Sequence, residues 1–349
     1  MSEIRKIKQQ RGLWLFIVPI TGLVLTKAVG EEFTIDGITF VSKDKLPRIR
    51  KRLGFPNKIS ELEKKGVAAN FFKKSKVYAI GKLGGYGEEK ESEYLSRVRK
   101  GLDVLSLSQL GYGRRRNNAC LSIGKEMPVG SSSLCMFNLT TTSSVSEMRI
   151  VGRAQELGLE SRWRHYHRNW GFVLKLIEVI NGDSEIGSGW RMNIIDAAIL
   201  SGQSQSSSNL PHAFLWNMIA IETLLTQQGD TYLTELPNRV EAFIGWTTDW
   251  SIEEFNLKIS QAYKTRSQFV HAGKSDQITI EQLLFTDTLI LNIFINILSH
   301  LNIFYSKESL IEFSNKVQAE RLLGIKTTVR PKTIRYLKPQ YSDKDYEAV

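Results

Sequence analysis

Two cysteines in 349 residues, Cys120 and Cys135, leave no disulfide framework and no cysteine-based zinc cluster. The expectation is two reduced thiols in a cytosolic protein. Histidine is nearly as scarce, with five in the chain. No two of them stand at the i, i+4 spacing that lets one helix face chelate a metal. His165 and His167 are two apart, which places them about 200° away from each other on a helix. His212 and His300 stand alone and read as structural. No metal and no cofactor is therefore expected. Nucleotide signatures are missing too. HAGKS contains Gly-Lys-Ser, but a phosphate loop needs a glycine five positions before Gly273, and Gln268 is there. LGGYG (83–87) reads as a glycine-rich turn without a dinucleotide fingerprint. There is no G-x-S-x-G nucleophile and no internal repeat.

Acidic residues are short in one half only. Residues 1–150 carry 27 Lys and Arg against 14 Asp and Glu, whereas the remainder carries 20 against 22. The net charge of +11 and the pI near 9.5 thus come from the N-terminal half. Such a surplus suits a polyanionic partner, and RNA is the expected one. Its candidate contacts are the triplet Arg114, Arg115 and Arg116, together with Arg164 and Arg168 of RWRHYHRNW. In that last stretch Trp163, Tyr166 and Trp170 pack while the arginines reach solvent or phosphate.

The N-terminus carries RKIKQQRG and then LWLFIVPITGLVL. A basic stretch before an apolar run is the pattern of a secretory signal. At 13 residues the run is shorter than the roughly 20 that a membrane span requires. Its β-branched and aromatic content, Pro19 in its middle and the lack of an A-x-A site favour a buried first strand. FTIDGITFVS and KVYAIGKL also read as strands, and RRRNNACLSIGKEMPVGSSSLCMFNLT as strand and loop. KDKLPRIRKRLG and SELEKKGVAANFFKK read as short, basic, exposed helices or loops, and EEKESEYLSRVRKGLDVLSLSQL as an amphipathic helix. From EMRIVGRAQELGL onward the period is helical through HRNWGFVLKLIEVI, GWRMNIIDAAILSG, AFLWNMIAIETLLTQ, PNRVEAFIGWT and EEFNLKISQAYKTRSQFVH. EQLLFTDTLILNIFINILSHL is apolar nearly all round, so it should be a central, buried helix. SGQSQSSSN (201–209) reads as a flexible loop. The expected fold class is α+β: a basic mixed α/β domain over 1–150, an all-helical bundle over 151–323 and an irregular or docked tail over 324–349.

One helix breaks its own pattern. Phe255, Ile259, Ala262, Tyr263, Phe269 and Val270 form an apolar stripe, yet Arg266 stands in the middle of it and His271 follows just before Gly273. A buried guanidinium needs an anion. In AFLWNMIAIETLLT the inner stripe is Leu215, Met218 and Leu225, and Glu222 interrupts it in the same way. Two readings follow. One is a structural Glu222–Arg266 ion pair with a capping histidine. The other is chemical: metal-free RNA cleavage needs a base for the 2′-hydroxyl, an acid for the leaving oxygen and a cation for the phosphorane. Arg266 and His271 supply a phosphate clamp and one acid or base, and Ser267 shares the face of His271. Two copies across a twofold axis would supply both protonation states.

TRSQFVHAG is an R-x4-H motif. With AFLWNMIAIETLLT some 45 residues earlier and GWRMNIIDAAILSG before that, the chain resembles the HEPN superfamily, in particular its Apea-like branch. The similarity covers about 186–301 well and 151–185 loosely. The resemblance implies a dimerising helical bundle and a metal-independent endoribonuclease that leaves 2′,3′-cyclic phosphate and 5′-hydroxyl ends. In it Arg266 would hold the phosphate, His271 would be the general acid or base and Glu222 would orient Arg266. Ser267 takes a polar position where many members carry Asn, Asp or His. Relatives of this kind serve bacterial defence against phage, often by abortive infection or in toxin–antitoxin pairs. A phage-derived trigger or partner protein would then act through the basic half. The implied setting is cytoplasmic, without a membrane. An alternative from another class is a non-catalytic, antitoxin-like dimer that binds RNA through its basic half.

Overall fold

The computed structural model describes residues 3–21, 23, 25, 32–55, 75–110, 122–123, 131–150, 171–207, 209–245, 254–325, 336–339 and 341. The fold is α+β. The chain divides into two compact units, one of Met1–Leu105 with Asn118–His167 and one of Ser106–Asn117 with Arg168–Val349.

The first unit is built on an antiparallel sheet. Its elements are α1 (Glu3–Lys8), β1 (Arg11–Thr21), β2 (Glu32–Ile35), β3 (Ile38–Ser42), α2 (Leu46–Leu53), β4 (Val77–Tyr86), α3 (Gly87–Ser106), β5 (Ser122–Ile123), β6 (Ser131–Asn138) and β7 (Ser144–Ile150). Among the described residues the strands run β2-β3-β4-β1-β6-β7, and β5 pairs with β1. The apolar N-terminal run is β1, the strand between β4 and β6. Trp14, Leu15, Phe16, Ile17 and Val18 are all fully buried, because both faces of the sheet are covered. Leu15 and Ile17 join Tyr78, Ile80, Phe137 and the α2 residues Leu46 and Ile49 in one core. On the opposite face Phe16 stacks on Tyr94 of α3 at 4.9 Å, and the Tyr94 hydroxyl donates to the Ala79 carbonyl at 2.7 Å. A strand covered twice cannot alternate apolar with polar, which is why it imitates a signal sequence.

Pro19 fits this strand for a backbone reason. The Leu139 amide donates to the Leu13 carbonyl, so odd-numbered residues of β1 point their backbone groups towards β6. The β6 ladder ends at Ile17 and β5 begins at Ile20. Proline's missing N–H therefore falls in the gap between two partners. The turn between β2 and β3 is the Asp36-Gly37 pair, with φ of 48° and 75°. Both values are positive, as a two-residue hairpin turn requires.

Two readings of this half need correction. LGGYG is not a turn. Gly84 and Gly85 continue β4 opposite Leu13 and Gly12, and Gly87 opens α3. Gly87 makes room for Trp14: a Cβ there would lie 2.7 Å from the ring, whose indole N–H donates to the Gly85 carbonyl at 3.1 Å. EMRIVGRAQELGL was expected to begin a helix, but residues 144–150 form β7, paired with β6 from Ser144↔Phe137 to Ser131↔Ile150. Residues 144–150 pair with β6 there, and the tertiary partner overrides the helical period.

Gly101 of α3 offers a test of packing against propensity. A Cβ there would approach the buried Phe40 ring to 2.7 Å. Helix propensity favours Ala over Gly by about 1 kcal/mol, whereas overpacking costs about 1–3 kcal/mol. Gly101→Ala should therefore lower stability in urea unfolding.

In the second unit every described regular element is a helix: a short 3-10 turn at Leu107–Gln109, then α4 (Gly171–Asn181), α5 (Ser188–Ser206), α6 (Leu210–Leu225), α7 (Tyr232–Ile244), α8 (Phe255–Ala272), α9 (Ile280–Ser299) and α10 (Lys307–Leu323). α6 packs against α5, α7, α8, α9 and α10. α9 is long and apolar enough to cross a bilayer, but 78% of its most apolar window is buried inside the protein. It starts at a capping box formed by Thr279 and Gln282.

The Ser/Gln-rich stretch is mostly helix, contrary to its composition. Residues 201–206 complete α5, where Ser204 and Gln205 find partners inside. Ser204 donates to the Ala213 carbonyl at 2.7 Å, and Gln205 donates to the Asp287 carboxylate at 2.8 Å. Asn217 also donates to Asp287, at 2.7 Å. Asn209 then caps α6 by accepting from the His212 amide. α7 begins five residues before the predicted start, with Pro237 inside it. Its Arg239 is 3% exposed and clasps the preceding link, donating to the Leu225 carbonyl and to both oxygens of Asp230. Arg239→Ala would strand that carboxylate and should cost about 3–5 kcal/mol in urea unfolding. The described part of the tail is irregular and docked on α9: the Leu337 amide and carbonyl both bond the side chain of buried Asn292.

Candidate functional site

α8 is a helix because Phe255, Ile259 and Ala262 repeat on one buried face, and it ends where Gly273 takes a φ of 67° that suits glycine. α6 buries Phe214, Asn217, Met218, Ile221, Leu224 and Leu225, while Leu215, expected inside, is half-buried. Where the two stripes run side by side, each carries one charge. Arg266 Nη2 donates to Glu222 Oε2 at 3.1 Å, with the side chains only 19% and 13% exposed. Burial pushes the Glu222 carboxyl above its ordinary pKa, and the charge and hydrogen bond of Arg266 offset part of that rise.

The pair is not saturated. Arg266 Nε and Glu222 Oε1 are buried without a hydrogen-bond partner among the described residues. Beside them lies an aromatic shelf that periodicity did not reveal. The Arg266 guanidinium carbon sits 5.9 Å from the centre of the Tyr263 ring. Tyr263 in turn stacks on Tyr232 of α7 at 6.0 Å, with the rings within 5° of parallel. Burial, and then the charge of Glu222, raise the Tyr263 hydroxyl above its ordinary pKa. The arrangement offers a fork-shaped cation with an unused N–H, an anion that orients it and a flat apolar wall. A phosphate oxygen is the type of group such a fork accepts.

His271 is placed elsewhere. Five residues on, it lies about 140° around the helix from Arg266, and it is exposed at the C-terminal turn of α8. Ser267 is half-buried between the two directions. The structure thus brings Glu222 and Arg266 together and leaves His271 facing outward. His212 is on the surface as well, with its ring 6.0 Å from Trp216 and 6.2 Å from Phe269. A partly exposed apolar strip links these positions along α6 and α8: Leu215, Trp216, Ile219 and Phe269 are half-buried and Val270 is 47% exposed.

Arg114, Arg115, Arg116, Arg164 and Arg168, the candidate RNA contacts, lie outside the described residues, as do His165 and His167. A basic surface that is described lies on α2, where Arg48, Lys51 and Arg52 are exposed while Leu46 and Ile49 face the sheet. Gly-Lys-Ser of HAGKS follows the C-terminus of α8, so carbonyls rather than amides point at it, the wrong polarity for a phosphate loop. Among the described residues no group of three or more His, Cys, Asp or Glu is arranged to hold a metal. Neither family models, curated proteins nor solved structures match this chain, so its chemistry is read from Glu222, Arg266 and His271 themselves.

Proposed function

We propose that the helical unit is a HEPN-like, metal-independent endoribonuclease that works as a homodimer. The observation that carries this reading is the separation of Arg266 from His271. An ion pair with Glu222 accounts for the arginine but leaves no use for an exposed imidazole at the end of the same helix. A twofold axis along the partly exposed strip of α6 and α8 would put His271 of the partner subunit opposite, and this apolar strip is a surface that a second copy would cover.

The chemistry balances with two imidazoles. Neutral His271 takes the proton from a ribose 2′-hydroxyl, whose oxygen attacks the adjacent phosphorus. The phosphorane's negative charge is held by Arg266, oriented by Glu222. The 5′-oxygen leaves with a proton from the protonated His271 of the partner subunit. The products are a 2′,3′-cyclic phosphate and a 5′-hydroxyl. Such an activity fits a bacterial defence or toxin–antitoxin protein of the cytoplasm, with the basic half binding RNA or a phage-derived trigger. Incubation with total RNA and mapping of the ends tests the reading: cyclic phosphates at the new 3′ ends support it, and intact RNA under dimer-forming conditions sinks it. The alternative is a non-catalytic RNA-binding dimer, favoured by the fact that Glu222 already satisfies part of Arg266. It predicts salt-dependent RNA binding by the basic half that is indifferent to Arg266 and His271.

A further inference from the structure

Tyr232 opens α7 with its side chain 36% exposed, and Leu233 beside it is 50% exposed. Neighbouring apolar side chains left in solvent beside a charged site are the signature of a binding surface. The Tyr232 ring is nonetheless held in place. Tyr263 of α8 stacks on it at 6.0 Å, within 5° of parallel. The link leading into α7 is clasped by buried Arg239, which donates to the Leu225 carbonyl and to Asp230. Glu235 lies 3.5 Å from the same guanidinium, so the acidic group in the first turn of α7 is already answered by a cation. From Tyr232 the stack runs on to the candidate site, because the Arg266 guanidinium carbon is 5.9 Å from the centre of the Tyr263 ring. Three flat groups from two helices thus follow one another, and Tyr232 is the exposed end of the run.

We propose that Tyr232, backed by Tyr263, is the platform on which an unpaired base next to the scissile phosphate stacks, so that the substrate is single-stranded RNA. The assignment rests on the reading of Arg266 as the group that holds that phosphate. Every base has a flat π-face, so an aromatic ring accepts any of them and adds affinity without reading sequence. The steps of 5.9 and 6.0 Å from the guanidinium through Tyr263 to Tyr232 keep the platform within reach of a base flanking that phosphate. An apolar protein partner would cover the rings but bring nothing for the Arg266 fork, whereas a nucleic acid strand brings both a flat base and a phosphate. A duplex does not suit the surface. Its bases are already stacked on one another, and an A-form helix shows a protein its shape and hydroxyls in place of free base faces. Tyr232 would therefore select for unpaired segments, while Arg266 and His271 act on the phosphate.

Two measurements on the full chain test this. A single-stranded oligonucleotide with 2′-O-methyl riboses cannot be cut, and 5-iodouracil bases in it photo-cross-link to rings that stack on them. The cross-link should map to Tyr232 or Tyr263 by mass spectrometry, and an unlabelled duplex should compete at least about tenfold less well than the unlabelled single strand. Tyr232→Leu keeps apolar bulk against Tyr263 but offers no ring. It should lower kcat/KM on single-stranded RNA by about tenfold with thermal stability unchanged, and Tyr232→Phe should retain the wild-type value. Cross-links that avoid both tyrosines overturn the platform. Cleavage that Tyr232→Leu leaves undiminished, or duplex cut as fast as single strand, overturns it equally, and each of these last two results leaves the nuclease standing. A cross-link at these rings in a protein that cuts no RNA would refute the nuclease and leave the platform in place.

Discussion

Replacing His271 with alanine should lower RNA cleavage by about 10²–10⁴-fold, the usual contribution of a positioned acid or base, while thermal stability stays unchanged. The side chain is exposed and lies beyond the buried Phe255–Ile259–Ala262 stripe, and α8 is terminated by Gly273 rather than by the imidazole. Its removal takes away no packing and no cap. A dimer that needs one neutral and one protonated imidazole makes a further demand. Mixing equal amounts of wild type and His271→Ala should leave about a quarter of the activity, because heterodimers lack one of the two roles; independent sites would leave about half. Undiminished cleavage by the variant would remove His271 from the chemistry altogether.

Arg266→Ala should abolish cleavage as well, but at a structural cost that His271→Ala does not share. It leaves Glu222 with a buried carboxylate and no counter-charge. A fully buried pair broken from one side costs about 3–5 kcal/mol. With side chains 19% and 13% exposed, solvent reduces this to about 1–3 kcal/mol. The pH dependence gives a separate signature. Burial raises the Glu222 pKa in the folded state above its unfolded value, so the native state holds that proton more tightly. Stability from this group is then present at acid pH and declines as pH rises through the raised value. In Arg266→Ala the opposing charge is gone, so the decline should be steeper. Urea unfolding at about pH 5 and about pH 8 should show the variant's deficit widening at the higher pH. Adding Glu222→Gln should restore most of it. A deficit that is independent of pH would mean that the arginine stabilises by packing alone. Arg266→Lys should keep some stability and lose cleavage, because a single ammonium cannot replace the fork.

Several elements were legible for local reasons. The Asp-Gly turn, the glycine at the end of α8 and the apolar α9 are each specified by residues within a few positions of one another. Errors arose where distant partners overruled composition. Ser204 and Gln205 belong to a helix because Ala213 and Asp287 accept their hydrogen bonds. Residues 147–150 belong to a strand because β6 offers an edge. Gly87 of LGGYG accommodates Trp14, 73 residues earlier in the chain.

The site divides along the same line. From the spacing alone, Glu222 and Arg266 had to lie on the inner stripes of two helices, and each needed an opposite charge. The period of about 3.6 residues is a property of one helix and its own side chains. That the two meet at 3.1 Å, that Tyr232 and Tyr263 form a shelf beside them and that His271 faces outward were decided by how α7 and α8 pack around α6. Packing depends on which faces interlock across long stretches of chain, and no local period records it.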